Sequence, residues 1–443
     1  MTHFRRCLSA LCLLLIFSAG AGLAQPVFTK RTYWVYLSAA TAQSRDALRA
    51  LAADTLLSPE GALFAEEPSP AAPYAAGVLS PELMDAAFSR INFIRALAGL
   101  NPVQPDTNLN DLAQHGAALM AALKTITHAP EKPVDMDEAF FEKGAKAAAN
   151  GNLAFFNWLS PGLAWESIDL FALDDTPGNL AYLGHRRWLL SPNMGRAGFG
   201  LAADSEGRCY ASLYVTDASA PADYDMIRWP SAGAFPAELM RSETPWSISL
   251  NTAKYDLSKS EPRVTLEEVN SGAAWQFDGP CGAPEEGAYF LIETSGFGDG
   301  PALIFRPDLT EEPLLEDGYE QNQLWRVTVA GLVAADGSAA EDIVYDVAMV
   351  SLTPIDPASV EITPREITLT VGERITVHAT VYPRWADDLS YTLSTGDETV
   401  AVIEDGVLVG VAEGSCVLRA ETANGRWDEV TVVVQEREQS THR

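Results

Sequence analysis

Residues 179–195 read NLAYLGHRRWLLSPNMG, and the place of His185 in that stretch decides how the first half of the chain is read. Gly184 lets the backbone turn without the steric penalty of a Cβ. Trp188, Leu189 and Leu190 then open an apolar, buried segment. With only six histidines in the chain, one at such an edge is a ligand, a base or a filler of space. The flanking sequence has to choose between them.

Upstream lies a series of helix signals. SPELMDAAFSRINFIRALAGL (80–100) opens with Ser80 as N-cap, Pro81 at the first helical position and Glu82 beside the positive helix end. Met84, Phe88, Ile91, Ile94 and Leu97 keep one face, and Gly99 is the stop. NLNDLAQHGAALMAAL (108–123) repeats the pattern through Leu109, Leu112, Gly116, Leu119 and Leu123. DEAFFEKGAKAAA (137–149) predicts a third helix and LAWESIDLFALDD (163–175) a fourth. AGFGLAA (197–203) and RCYASLYVTD (208–217) are strand-like, so residues 80–228 read as an α+β unit. Before them, residues 25–79 form a lead-in with one amphipathic helix over 44–57 and a proline-rich linker over 66–74.

From Trp229 the texture changes to short alternating segments such as RVTLEEV, AYFLIET and LWRVTVAGL, which predict a β-rich domain over 229–353. LTPIDPAS (352–359) is the next linker, and a small β-sandwich is expected over 357–435. There Ile375, Val377, Ala379 and Val381 alternate inward and His378 points out, while Asp405-Gly406 and Asn424-Gly425 suit tight hairpin turns.

Composition narrows the function. Sixty acidic residues against thirty basic ones give a formal charge of −30, which repels phosphate backbones and argues against a nucleic-acid partner. Arg5 and Arg6 precede the apolar run LCLLLIFSAGAGLA, with Gly22 and Ala24 before Gln25, as in a secretory signal over residues 1–24. That run is short for a bilayer, so the mature chain is expected outside the cell with no transmembrane segment. Cys209, Cys281 and Cys416 remain after the signal, one per region, and do not form a disulfide framework.

Three histidines serve the α+β unit. His115 keeps helical spacing with Leu112 and Leu119 and reads as a packed residue. His128 in ITHAP and His185 fall at element ends, where loops converge. No H-E-x-x-H helix, G-x-S-x-G elbow or paired C-x-x-C appears, so no catalytic residue is assigned.

RINFIRALAGLNPV, THAPEKP, NGNLAF, FALDD and LGHRRWLLSPNMGRAGFG, in that order, resemble the CAP superfamily of cysteine-rich secretory, antigen 5 and pathogenesis-related proteins, in its bacterial branch, over roughly residues 80–218. VGERITVHATVYP and EDGVLVGVAEGSCVLRAE resemble group 2 bacterial immunoglobulin-like domains of cell-surface proteins. The first resemblance implies an α-β-α sandwich with a cleft lined by two histidines and two acids. His128 and His185 match the histidines and Asp174 the second acid, while the first acid position falls on Gly151, followed by the retained Asn152. Arg186 and Arg187 stand where threonine and glutamine often follow, and Arg186 is expected to bring positive charge to the cleft.

Under this resemblance His128, Asp174 and His185 are the candidate metal ligands, with zinc the candidate cofactor, otherwise none, and an open position for water. Asn152 and Arg186 are the candidate cleft residues. The plainer reading gives both imidazoles to loop backbone as hydrogen-bond partners. The function expected is a secreted or cell-wall-associated binding module, its cleft taking a divalent metal or a small apolar ligand. Its partners would be a cell-surface protein, glycan or lipid. The alternative is an extracellular metal-dependent hydrolase or protease using the same cleft.

Overall fold

A computed structural model of the chain describes residues 45–310, 318–404 and 406–436. The signal-like segment 1–24, the lead-in up to residue 44 and Asp405 of the expected hairpin lie outside them. Residues 45–55 form a first helix, α1. The pair β1 (Phe64–Glu66) and β2 (Val78–Leu79) leads to α2 (Pro81–Leu97). Ser80 caps that helix as expected, its Oγ accepting from the Leu83 N–H at 3.2 Å. Asp106 does the same for α3 (Thr107–Leu123) and Asp137 for α4 (Glu138–Ala149). Further on lie α5 (Leu163–Leu173) and the short α6 (Gly184–Leu189).

Four strands form the sheet of this region in the order β3 (Gln104–Pro105), β5 (Arg196–Ala203), β6 (Cys209–Tyr214), β4 (Gly151–Phe156). Residues 197–203 alternate glycine with bulk for a reason. A Cβ on Gly198 would sit 2.1 Å from the Leu109 carbonyl, and one on Gly200 2.5 Å from the Gln114 nitrogen. So α3 lies directly on the β5 backbone, while Phe199 and Leu201 point to the other side, into the core shared with α2 and α5. The small face Ala117, Ala118 and Ala121 of α3 is buried with Leu153, Ala202 and Tyr210. The leucine stripe expected on α3 is only partly buried: Leu109 and Leu112 stay half-exposed, because close approach to the sheet selects alanine and glycine.

The chain then builds β7 (Met226–Trp229), β8 (Gly233–Pro236), β9 (Trp246–Leu250), β10 (Arg263–Glu268), β11 (Ala273–Phe277), β12 (Tyr289–Glu293), β13 (Ala302–Arg306), β14 (Leu324–Ala330) and β15 (Ile343–Val350). They make a five-stranded sheet, β11-β10-β14-β15-β8, and a four-stranded sheet, β12-β13-β9-β7. The two regions do not close separate cores. Beside two smaller clusters around Leu119 and Ile304, most buried side chains from Leu48 to Val350 form one continuous cluster, in which Leu189 and Leu190 belong with Trp229, Phe235 and Trp246. A second cluster, from Val360 to Val434, is the core of the terminal β region. There Ile367–Thr370, Trp427–Gln435, Gly414–Thr422 and Tyr391–Thr395 form one sheet, and Gly425, at φ 81°, turns the hairpin beside Asn424.

The helix α1, the β-rich part and the terminal region meet at Asp387. Its carboxylate takes Arg45 at 2.9 Å, Arg49 at 2.5 Å and the Gln321 side-chain amide at 2.8 Å. Arg49 also donates to the Ser351 and Thr353 carbonyls across the linker.

Asp217, after β6, acts as a local staple. Burial alone would raise its pKa, but hydrogen bonds from the Ser219 hydroxyl and the N–H groups of Ser219, Gly195 and Arg196 outweigh it and hold it at about 2. A carboxyl depressed in the folded state stabilises above its unfolded pKa, and that contribution is lost as pH falls from about 4 towards 2. Asp217→Asn is therefore expected to cost roughly 2 kcal/mol at neutral pH, with the gap to the parent closing below pH 3. Urea unfolding at pH 7 and pH 2.5 checks this, and a gap independent of pH would refute it.

Candidate functional site

The site starts where α5 ends. Asp174 follows the helix in left-handed conformation, φ 48° and ψ 37°, which turns its side chain back into the protein. There the carboxylate is wholly buried, with Oδ1 3.0 Å from His185 Nδ1 and Oδ2 accepting the Arg186 backbone N–H at 3.1 Å. A carboxylate accepts only, so this contact favours the tautomer with the imidazole proton on Nδ1, and in that tautomer the lone pair is on Nε2. The Asn179 amide nitrogen, a donor, lies 3.0 Å from the same Nδ1 and makes no hydrogen bond to it while Nδ1 carries the proton. His128 is held in the same sense, its Nδ1 2.7 Å from the Ala148 carbonyl at the end of α4.

Both rings line one cavity of about 350 Å³. Asn152 of β4 lines it too, and its Nδ2 donates to the His185 carbonyl at 2.9 Å, fixing the backbone that carries the ring. Tyr182, Trp188 and Val215 supply apolar wall, and Phe297 enters from the β-rich part. No Asp, Glu, Lys, Arg, Ser or Cys is among the lining residues.

The five residues singled out from sequence thus separate. His128, His185 and Asn152 come together at the cavity. Asp174 stands behind His185 and lines no part of it. Arg186 is turned away and brings no charge to the cleft. Its fully buried guanidinium donates to the Ala172 carbonyl at 2.5 Å, the Pro245 carbonyl at 2.7 Å, the Leu173 carbonyl and the Ser247 hydroxyl. Burial lowers its pKa to about 10, against the opposing pull of Asp174. Helix geometry permits the split: consecutive residues of α6 point about 100° apart, so His185 faces the cavity while Arg186 faces Pro245 and Ser247.

The donor set does not suit a resident zinc ion. Zinc sites use three or four protein ligands, and this cavity offers two imidazole nitrogens. Asp174 is committed to His185 and Arg186. At Gly151 a Cβ would lie 2.8 Å from the Ala147 carbonyl and 2.9 Å from that of Leu213, so an acid has no room there without backbone movement. Among the described residues no group of three or more His, Cys, Asp or Glu is placed to share an ion.

Sequence reasoning missed Asn179, Tyr182 and Phe297. The first two lie in the opening quotation, and their signal was an aromatic ring and an amide three and six residues before His185. Phe297 carries none, since it lies more than a hundred residues away in the loop between β12 and β13. Also among the described residues, no helix is long and apolar enough to cross a membrane.

No match was found among curated proteins. Among solved structures the chain is similar to domains 4 and 5 of the S-layer protein SbsC, at 15% identity over 25% of this chain and 64% of that one, with a TM-score of 0.17. It is similar to SbsC domains 1–6 at 12% identity over 44% of this chain and TM-score 0.16, and spans only 24% of that chain's length. Drosophila N-cadherin EC1–4 is similar at 12% identity over 49% of this chain and 50% of that one, TM-score 0.22. Scores this low carry no weight for fold or function. Residues 88–216 match the family model described as CAP, the cysteine-rich secretory protein family, and this CAP stretch holds every cavity residue except Phe297.

Proposed function

We propose that the chain is an exported, non-catalytic binding protein of the bacterial surface, whose CAP domain takes a small organic ligand between His128 and His185. One observation carries the reading: both imidazoles have Nδ1 tied to a protein acceptor, and both line the same cavity. Two lone pairs on Nε2 are thus prepared for donors on a ligand. The volume, about 350 Å³, falls within the usual range for small-molecule pockets. The signal-like segment 1–24 and the CAP match support export, and helices on both faces of the β3–β6 sheet accord with an α-β-α sandwich. The terminal sheets accord with an immunoglobulin-like module that spaces or presents the cavity.

Asp174 and His185 together resemble two members of a general-base relay, but the lining lacks a serine or cysteine nucleophile. That favours binding over turnover. A fragment screen by ligand-observed NMR, on the parent and on His128→Ala/His185→Ala, tests the reading. Fragments bound by the parent and lost in the variant are the expected result, and identical profiles would overturn it. Zinc is titrated calorimetrically alongside. With two donors, binding weaker than micromolar is expected; micromolar or tighter binding lost in the variant would make the cavity a metal site instead.

A further inference from the structure

We infer that the loop 294–300 of the β-rich part completes the CAP cavity, and that the completed site takes a neutral, hydroxyl-bearing ring stacked on Phe297. The inference rests on the binding reading above and adds the ligand class and a determinant outside the CAP match. Phe297 lines the cavity and is 39% exposed, so part of its ring is free for a ligand. Its position is built rather than incidental. Gly184 has no Cβ, and one placed there would lie 3.1 Å from Phe297 Cδ1, so the ring rests on bare backbone next to His185. The Tyr182 ring centroid lies 5.7 Å from that of Phe297.

The loop is fastened at both ends to α6 and the residues after it. Glu293 pairs with Arg187, which also donates to the Gly300 carbonyl. Asp299 accepts from the Ser191 hydroxyl and, at 2.9 Å, from the Asn193 amide. Its carbonyl accepts from the Tyr224 hydroxyl at 2.8 Å. Gly298, at φ 62°, packs so closely that a Cβ would lie 2.8 Å from the Arg187 carbonyl. Phe297 is therefore held over the cavity by contacts on either side of it in the sequence.

The lining selects the ligand. It has no Asp, Glu, Lys or Arg side chain to pair with a charged ligand, and a charge desolvated without a partner is penalised. Two Nε2 lone pairs call for hydroxyl donors. Tyr182, Trp188 and Phe297 offer aromatic faces for the C–H side of a saturated ring.

The test uses the mature full chain and saturation-transfer NMR with four rings of similar size: methyl β-glucopyranoside and N-acetylglucosamine, both neutral, with anionic glucuronate and cationic glucosamine. The neutral pair is expected to bind the parent, weaken about fivefold in Phe297→Ala and recover in Phe297→Tyr. Because Phe297 is partly exposed, an unchanged thermal midpoint in the alanine variant separates this loss from unfolding. Equal binding of the neutral rings to parent and Phe297→Ala overturns the role of the loop. Charged rings binding as well as neutral ones overturn the ligand class. So does a screen whose hits depend on both histidines while none of the four rings binds; the binding reading then survives alone. If the double histidine variant matches the parent throughout, both fall.

Discussion

Arg186→Met is expected to lower the stability of the folded chain by about 4 kcal/mol, because three backbone carbonyls lose their buried donor at once. Ala172, Leu173 and Pro245 all direct their carbonyl oxygens at this guanidinium, and the Ser247 hydroxyl joins them. An unsatisfied buried acceptor costs about 1–3 kcal/mol, so the sum is large even after the relief of removing a desolvated charge. Replacing a buried ion pair by hydrophobic residues is often harmless when every partner is replaced. Here the acceptors are main chain and cannot be. Arg186→Lys recovers little, since a single ammonium cannot span acceptors from α5 and from the segment entering β9. Urea unfolding at pH 7 decides the matter, and a loss below 1 kcal/mol would mean that water replaces the guanidinium.

Asp387→Ala is the second large effect, about 3 kcal/mol, since it takes the shared carboxylate from two half-buried arginines and leaves Arg45 to the exposed Asp46 at 3.3 Å. Arg45 and Arg49 belong to α1, Gln321 to the β-rich part and Asp387 to the terminal region. Burial pushes the Asp387 pKa up, but hydrogen bonds from Arg49 and Gln321 and the charges of Arg45 and Arg49 more than reverse this. Its stabilisation is thus present at neutral pH and fades as pH falls below the unfolded carboxyl range near 4. Scanning calorimetry of the variant at pH 7 should show the terminal region melting as a separate, earlier transition. The parent scanned at pH 3 should move the same way. A single unchanged transition in both would show that the junction is held by other contacts.

How much of this was legible in the sequence depended on whether a feature was local. Ser80-Pro81-Glu82 announced α2 because capping is decided within one turn, and the terminal strands announced themselves through strict alternation around Val377 and Val381. The convergence of His128 and His185 followed from a resemblance to ordered motifs, not from spacing. Arg186 was misread because adjacency in sequence was taken for adjacency in the cleft, whereas a helix separates neighbours by about 100°. The strand β4 was hidden by its glycine start and by buried residues on both faces, which erase the period-two pattern. Phe297 and the Asp387 junction are products of tertiary packing and have no local signature.

The shared core between the CAP stretch and the β-rich strands bears on how such a chain can be inherited. Trp229, Phe235 and Trp246 are fully buried in the same cluster as Leu189 and Phe199. Each such aromatic side chain covers roughly 150–250 Å². A recombination event that moved residues 80–228 into another gene would strip that wall bare and leave Arg186 without its partners on Pro245 and Ser247. The terminal region, with its own closed core, is the piece that can be exchanged at the cost of its Asp387 junction alone. The CAP stretch and its β-rich neighbour are therefore expected to travel through descent as one cassette, Phe297 included.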